Sequence, residues 1–321
     1  IYRQILSSSV EALLLSLTIS LGMPFLTAAN QIFPDLVSGI LVFIIIERVL
    51  NAIRSPATPG YTEMIAYGFL LALLPWLHLK QVAVMIVLGV GVFYFLNSEV
   101  SRYKLCIPLI ISGISLIGVA LWNQYAFGTP LGPHHTEALS NTPRRILQLF
   151  FGLHLDQAQG MFLQQPLFLL GLLGLPFMYQ RHPRFSLFLV AVYGSLILPN
   201  TMHPNFYGGR SFHGRFAWSS VLLWNLPLAF SFKYVIRRFR WIISFISAGV
   251  LYQIYLSRNW IVDRRLLMVD SLFYENGPGL LLPDFHPTTH SLYHLPNYVA
   301  LFIVFGIFAW GVWLYKRSQS I

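Results

Sequence analysis

The chemistry-bearing residues are densest between Asn200 and Phe216, N-T-M-H-P-N-F-Y-G-G-R-S-F-H-G-R-F, set between two long apolar runs. His203, Arg210, His213 and Arg215 stand there beside Gly208, Gly209 and Gly214. Cations with donor-rich neighbours at a membrane mouth suit an anionic group such as a phosphate, because charge-assisted hydrogen bonds are strong where water is scarce. A solvated loop with glycine turns accounts for the same letters. A second candidate is Asp35, which closes Asn30-Gln31-Ile32-Phe33-Pro34-Asp35 and opens an apolar run. A carboxylate so placed can serve as general base or metal ligand in a partly desolvated pocket. It can equally be a helix N-cap, accepting from orphan backbone N–H groups.

Two longer polar segments carry further candidates. Between Gln124 and Gln165, Asn141-Thr142-Pro143 is a good helix start, and Ile146, Leu149, Phe150 and Leu153 recur at helical spacing. With Arg144 and Arg145 in its first turn, the pattern predicts a helix lying in the membrane interface. Its start would attract a lipid phosphate, or the helix is a plain interfacial anchor. Between Ser257 and Pro296, His286, His290 and His294 have the four-residue spacing of a zinc arrangement. Pro283, Pro287 and Pro296 argue instead for an irregular, lid-like loop whose histidines hydrogen-bond locally.

The elements that must position these residues are membrane spans. The chain has 321 residues, 56% hydrophobic and only 10% charged, which excludes an ordinary soluble domain. Apolar runs lie near Ala12–Ala28, Leu36–Leu50, Met64–Leu77, Val82–Leu96, Ile107–Trp122, Pro166–Met178, Phe185–Leu198, Ala217–Phe232, Ile242–Leu256 and Tyr298–Leu314. They predict an all-α, polytopic integral membrane protein of about ten transmembrane helices, with residues 1–321 as one transmembrane domain. Outer loops are expected at 124–165, carrying the interfacial helix, and at 257–296.

The formal charge of +10 fits this layout without a nucleic-acid partner. With Arg3 cytoplasmic, the spans place Arg48, Arg54, Arg102, Lys104, Arg181, Arg184 and the cluster Lys233–Arg240 on the inside, together with Lys316 and Arg317. Short outer loops then hold only Lys80, Arg210 and Arg215, and Asp35 is their only acid. Every histidine but His182 falls outside, so the chemistry is expected on the extracytoplasmic face. The lone cysteine, Cys106, allows no internal disulfide. The chain starts at Ile1 without a charged signal-peptide region, so the natural N-terminus is expected to lie further upstream.

Phosphate loops of the Walker and Rossmann kinds and Gly-x-Ser-x-Gly are absent, which disfavours nucleotide-driven pumping. Glycines inside spans are expected to serve close helix packing. The chain resembles bacterial membrane glycosyltransferases of the C superfamily, the group of protein mannosyltransferases and lipid A aminoarabinose transferase. The residues that carry the resemblance are Gln31 to Asp35 opening a span, Gly68 to His78 with Pro75 and Trp76 closing another, Gly152 to Pro166 with Asp156 and Gly160, and Gly208 to Phe216.

The resemblance implies sugar transfer from a polyprenyl-phosphate donor to a glycan, lipid or protein acceptor on the outer face of the bacterial inner membrane. In that family one aspartate of the first outer loop acts as catalytic base or metal partner, and a second acid comes from a later outer loop. Asp35 is similar to the second; the first has no counterpart, as if the chain began several spans into the family pattern. Arg215 and Arg210 are similar in position to cations that meet the donor phosphate, and Arg144 and Arg145 to the interfacial helix. His203 and His213 would orient hydroxyls or phosphate oxygens, with Asp156 and His78 also at the substrate. No soluble cofactor is implied, although a divalent metal bridging acid and phosphate fits the chemistry. A transporter of lipids or lipid-linked sugars and a non-catalytic membrane scaffold are the rival readings.

Overall fold

The computed structural model describes residues 2–6, 8–28, 33–54, 59–97, 100–133, 141–157, 160–203, 214–236, 238–239, 241–258, 262, 282–285 and 294–319. Among them every regular element is helical. In chain order the longer ones are α1 (Ser9–Ser20), α2 (Pro34–Arg54), α3 (Tyr61–Leu77), α4 (Leu79–Leu96) and α5 (Arg102–Phe127). There follow α6 (Pro143–Leu155), α7 (Leu167–Arg181), α8 (Pro183–Met202), α9 (Arg215–Ile236), α10 (Ile242–Arg258) and α11 (Leu295–Gln319).

Six of these, α2, α4, α5, α8, α9 and α11, are long and apolar enough to cross a membrane. The outward face of α11 is apolar: Phe302, Phe305 and Trp313 are exposed, as a lipid-facing surface requires. Four shorter apolar helices, α1, α3, α7 and α10, fall at the remaining apolar runs.

The chain packs as two compact units, one made of Ile1–Ile32, Asn141–Ser186 and Asn205–Ile321, the other of Phe33–Ser140 and Leu187–Pro204. In the second unit α3 and α5 run parallel. The Lys104 ammonium lies 4.9 Å from the Tyr61 ring at one end, and the Ser115 hydroxyl donates to the Ala72 carbonyl at 2.7 Å further along. Trp76 then donates its indole N–H to Ser115 at 3.0 Å. Gly68 lets the pair close: a Cβ there would come within 3.2 Å of the Pro108 backbone.

In the first unit α7, α9 and α11 run in one direction. Gly171 faces Trp224 and Phe177 stacks on Tyr234, while Leu173 lies against Gly311 and Phe177 meets Tyr315. The approach is tightest at Gly174, where a Cβ would stand 1.9 Å from the Pro227 carbonyl oxygen. Close backbone contact of this kind replaces the hydrophobic drive that lipid does not supply.

The run Ala217–Phe232 falls on α9, which changes pitch repeatedly, from 3₁₀ at Arg215–Ala217 and Leu222–Trp224 to a π turn at Phe232–Ile236. Pro227 is part of the cause, since it offers no N–H to the carbonyl four residues earlier.

Candidate functional site

The second unit brings two expected site residues to one end and adds a third. Asp35 lies in the first turn of α2, one residue inside Pro34, and not at the N-cap position that the alternative reading gave it. It is 1% exposed, and its Oδ1 is 2.6 Å from Lys80 Nζ, forming an ion pair. Lys80 sits in the 3₁₀ turn that starts α4, so the pair joins the starts of two spanning helices.

His78 shapes that turn. Its backbone is extended, closing α3, and its Nδ1 accepts from the Lys80 backbone N–H at 3.2 Å. The ring itself is exposed. Lys80 was not among the expected site residues, although being the only lysine in a short outer loop was a visible signal. His203 is half-buried just beyond α8, in the same unit. Arg210 and His213 lie outside the described residues.

The first unit holds Arg144, Arg145, Asp156 and Arg215. A helix forms where the sequence predicts one: Thr142 Oγ1 accepts from the Arg145 N–H at 3.4 Å and Pro143 occupies the first turn. Leu149 and Leu153 are buried, whereas Arg144 is exposed and Arg145 half-buried. Thr142→Ala is expected to cost about 1 kcal/mol of local stability. Faster amide exchange in the first turn of α6 would register the loss.

Asp156 ends α6 and is buried, with Oδ2 accepting from the Phe285 N–H at 2.8 Å. The Gln157 N–H donates to the Pro283 carbonyl at 2.8 Å, and Gln148 donates to the Phe285 carbonyl at 3.0 Å. From the other side Asn297 clasps Asp284, accepting from its N–H and donating to its carbonyl, both at 2.7 Å. Residues 282–285 are thus fastened between α6 and the start of α11, and Asp156 does part of the fastening. Asp284 is itself fully buried, a feature that its apolar sequence surroundings did not announce.

His154, on the same helix, donates from Nδ1 to the Phe150 carbonyl at 2.6 Å and packs between Phe150 and Phe162. Burial pushes its pKa down to about 4, with the Phe150 hydrogen bond opposing that shift. Because the folded protein binds this proton less readily than the unfolded chain, stability is full above pH ~6.5 and declines as pH falls toward 4. The loss at pH 5 should be about 2 kcal/mol. Thermal unfolding of the parent and His154→Gln from pH 8 to pH 4.5 checks it, the variant being expected to lose this part of the slope.

Arg215 follows Gly214, whose φ of +66° is open to glycine at little cost, and it is half-buried at the start of α9. Among the described residues no group of three or more His, Cys, Asp or Glu side chains could hold a metal ion. His294 is described, but His286 and His290 are not. The described residues do not fit a divalent ion at Asp35, because the ammonium of Lys80 already holds that carboxylate.

No family model matches the chain, and no curated protein or solved structure is significantly similar to it.

Proposed function

We propose that the chain is a membrane glycosyltransferase of the C-superfamily kind, with about ten spans, transferring a sugar from a polyprenyl phosphate on the extracytoplasmic face of a bacterial inner membrane. The observation that carries the reading is Asp35, a carboxylate buried in the first turn of a spanning helix and held on Lys80. Buried ionisable groups at membrane depth are expensive and most often functional.

In this reading the acceptor hydroxyl oxygen attacks the anomeric carbon. The carbon–oxygen bond to the lipid phosphate breaks, that phosphate leaves with the electron pair, and the hydroxyl proton passes to the Asp35 carboxylate. As the proton arrives, Lys80 is freed to face negative charge developing on the leaving group. The N-terminal amides of α6 with Arg144 and Arg145 suit a lipid phosphate at the interface, and Arg215 suits an anion at the start of α9.

The test supplies the full chain, expressed with any residues encoded ahead of Ile1, with radiolabelled polyprenyl-phosphate sugars in proteoliposomes. Label should appear in an acceptor, and Asp35→Asn should lower the rate at least ~100-fold while the protein stays folded. Transfer undiminished in Asp35→Asn would sink the assignment.

A second reading, a carrier or scaffold without chemistry, is favoured by the Lys80 contact itself, because an oxygen held by an ammonium must release it before accepting a proton. That reading expects lipid movement or assembly with no new glycosidic bond.

A further inference from the structure

A second charged feature lies at the common C-terminal end of α7, α9 and α11, all within the first unit. Ring contacts fix the level of the three helix ends. Phe177 of α7 stacks on Tyr234 of α9, with centroids 5.5 Å apart and planes 4° apart, and meets Tyr315 of α11 edge-on at 5.5 Å. Around these rings stand the exposed cations Arg181, Lys233, Arg238, Lys316 and Arg317.

The sequence around these cations is poor in acidic side chains. No aspartate or glutamate occurs between Asp156 and Asp263, nor anywhere in α11. The helix ends contribute about half a negative charge each, too little to offset five full cations.

The holding contacts are aromatic. The Arg181 guanidinium is 4.7 Å from the Tyr234 ring centroid, Lys233 Nζ 5.4 Å from the same centroid, and Arg317 5.4 Å from that of Trp313. A guanidinium resting on a ring keeps its in-plane N–H donors for phosphate oxygens. Among the described residues no hydrogen bond or ion pair engages Arg181, Lys233 or Lys316.

Below the charges lies an aromatic layer of the kind that marks a headgroup boundary. Trp241 and Trp310 stack at 5.5 Å, and Trp241 and Trp313 are more than half exposed, at 58% and 51%.

We infer that this end of α7, α9 and α11 binds the phosphate headgroups of anionic phospholipids, with Arg181, Lys233 and Lys316 as the principal cations. Basic pockets between spanning helices at a membrane surface bind such headgroups by charge and hydrogen bonding together. The inference is independent of the transferase reading.

The test is native mass spectrometry of the full chain released from nanodiscs of mixed phosphatidylglycerol and phosphatidylcholine. Phosphatidylglycerol should be retained in preference, and Arg181→Gln with Lys233→Gln should weaken that retention about thirtyfold. Arg54→Gln with Arg102→Gln removes the same charge from the other unit and should leave retention unchanged.

Equal retention of the two lipids would overturn the proposal. So would equal loss in the matched control, which would mean diffuse charge and no site, or displacement of the lipid by millimolar inorganic phosphate, which would mean a free-anion site. Should the double variant fail to fold, the parent's unfolding temperature decides: it must rise with added phosphatidylglycerol and not with phosphatidylcholine, and no difference overturns the proposal.

Discussion

Lys80→Met is expected to destabilise the protein by about 3–5 kcal/mol, because it removes the ammonium beside the Asp35 carboxylate in a site that is 1% exposed. The cost comes from the charge left behind more than from the attraction removed. Adding Asp35→Asn to Lys80→Met should therefore recover most of the loss, since a neutral amide is far cheaper to bury than a carboxylate that has lost its ammonium. Thermal unfolding of the four proteins of this double-mutant cycle in one detergent measures the coupling directly. Additive losses would mean that Asp35 is satisfied by something other than Lys80. The cycle also bears on function: under the transferase reading the double variant is stable and inactive, whereas a carrier or scaffold keeps its activity along with its fold.

Gly174→Leu should have an effect of the same order, by a different route. Even the first carbon of a side chain would stand 1.9 Å from the Pro227 carbonyl oxygen and 2.6 Å from the Ser231 nitrogen, and both are backbone atoms of α9. A flexible side chain could move aside; a helix backbone cannot, so α7 and α9 must separate. The cost is expected to reach about 3 kcal/mol or more and to appear as loss of monodisperse protein in detergent. Gly113→Ala and Gly306→Ala are the controls. Nothing lies within 4 Å of the added carbon at either site, so these substitutions should be neutral or stabilise their helices by up to ~1 kcal/mol.

The features that could be read from the letters are those whose causes are local. Thr142 and Pro143 start α6 because capping and the proline's fixed φ act within one turn, and the capping bond forms where the spacing puts it. The long apolar runs mark helices because a chain in lipid must satisfy its own backbone, and six of those helices have the length to cross. The close-packing role of Gly68 and Gly174 was legible in kind, since glycine inside a span has few other uses, but not in partner.

What the letters could not show is which distant groups share one end of a bundle. Asp35 was visible as an isolated acid and Lys80 as an isolated base, yet only the packing of α2 and α4 puts them 2.6 Å apart. Nothing in the letters marks Asp284 as buried; Asn297 and the end of α6 bury its segment. The cluster Lys233–Arg240 can be seen in one line of sequence, but Arg181 reaches it only because α7 lies parallel to α9. By itself, then, the sequence determined an apolar helical chain with its caps, its breaks and an inventory of charges. The tertiary structure decided the partners of those charges, because spacing sets the contacts within one helix whereas close backbone approach between helices sets the register that brings remote side chains together.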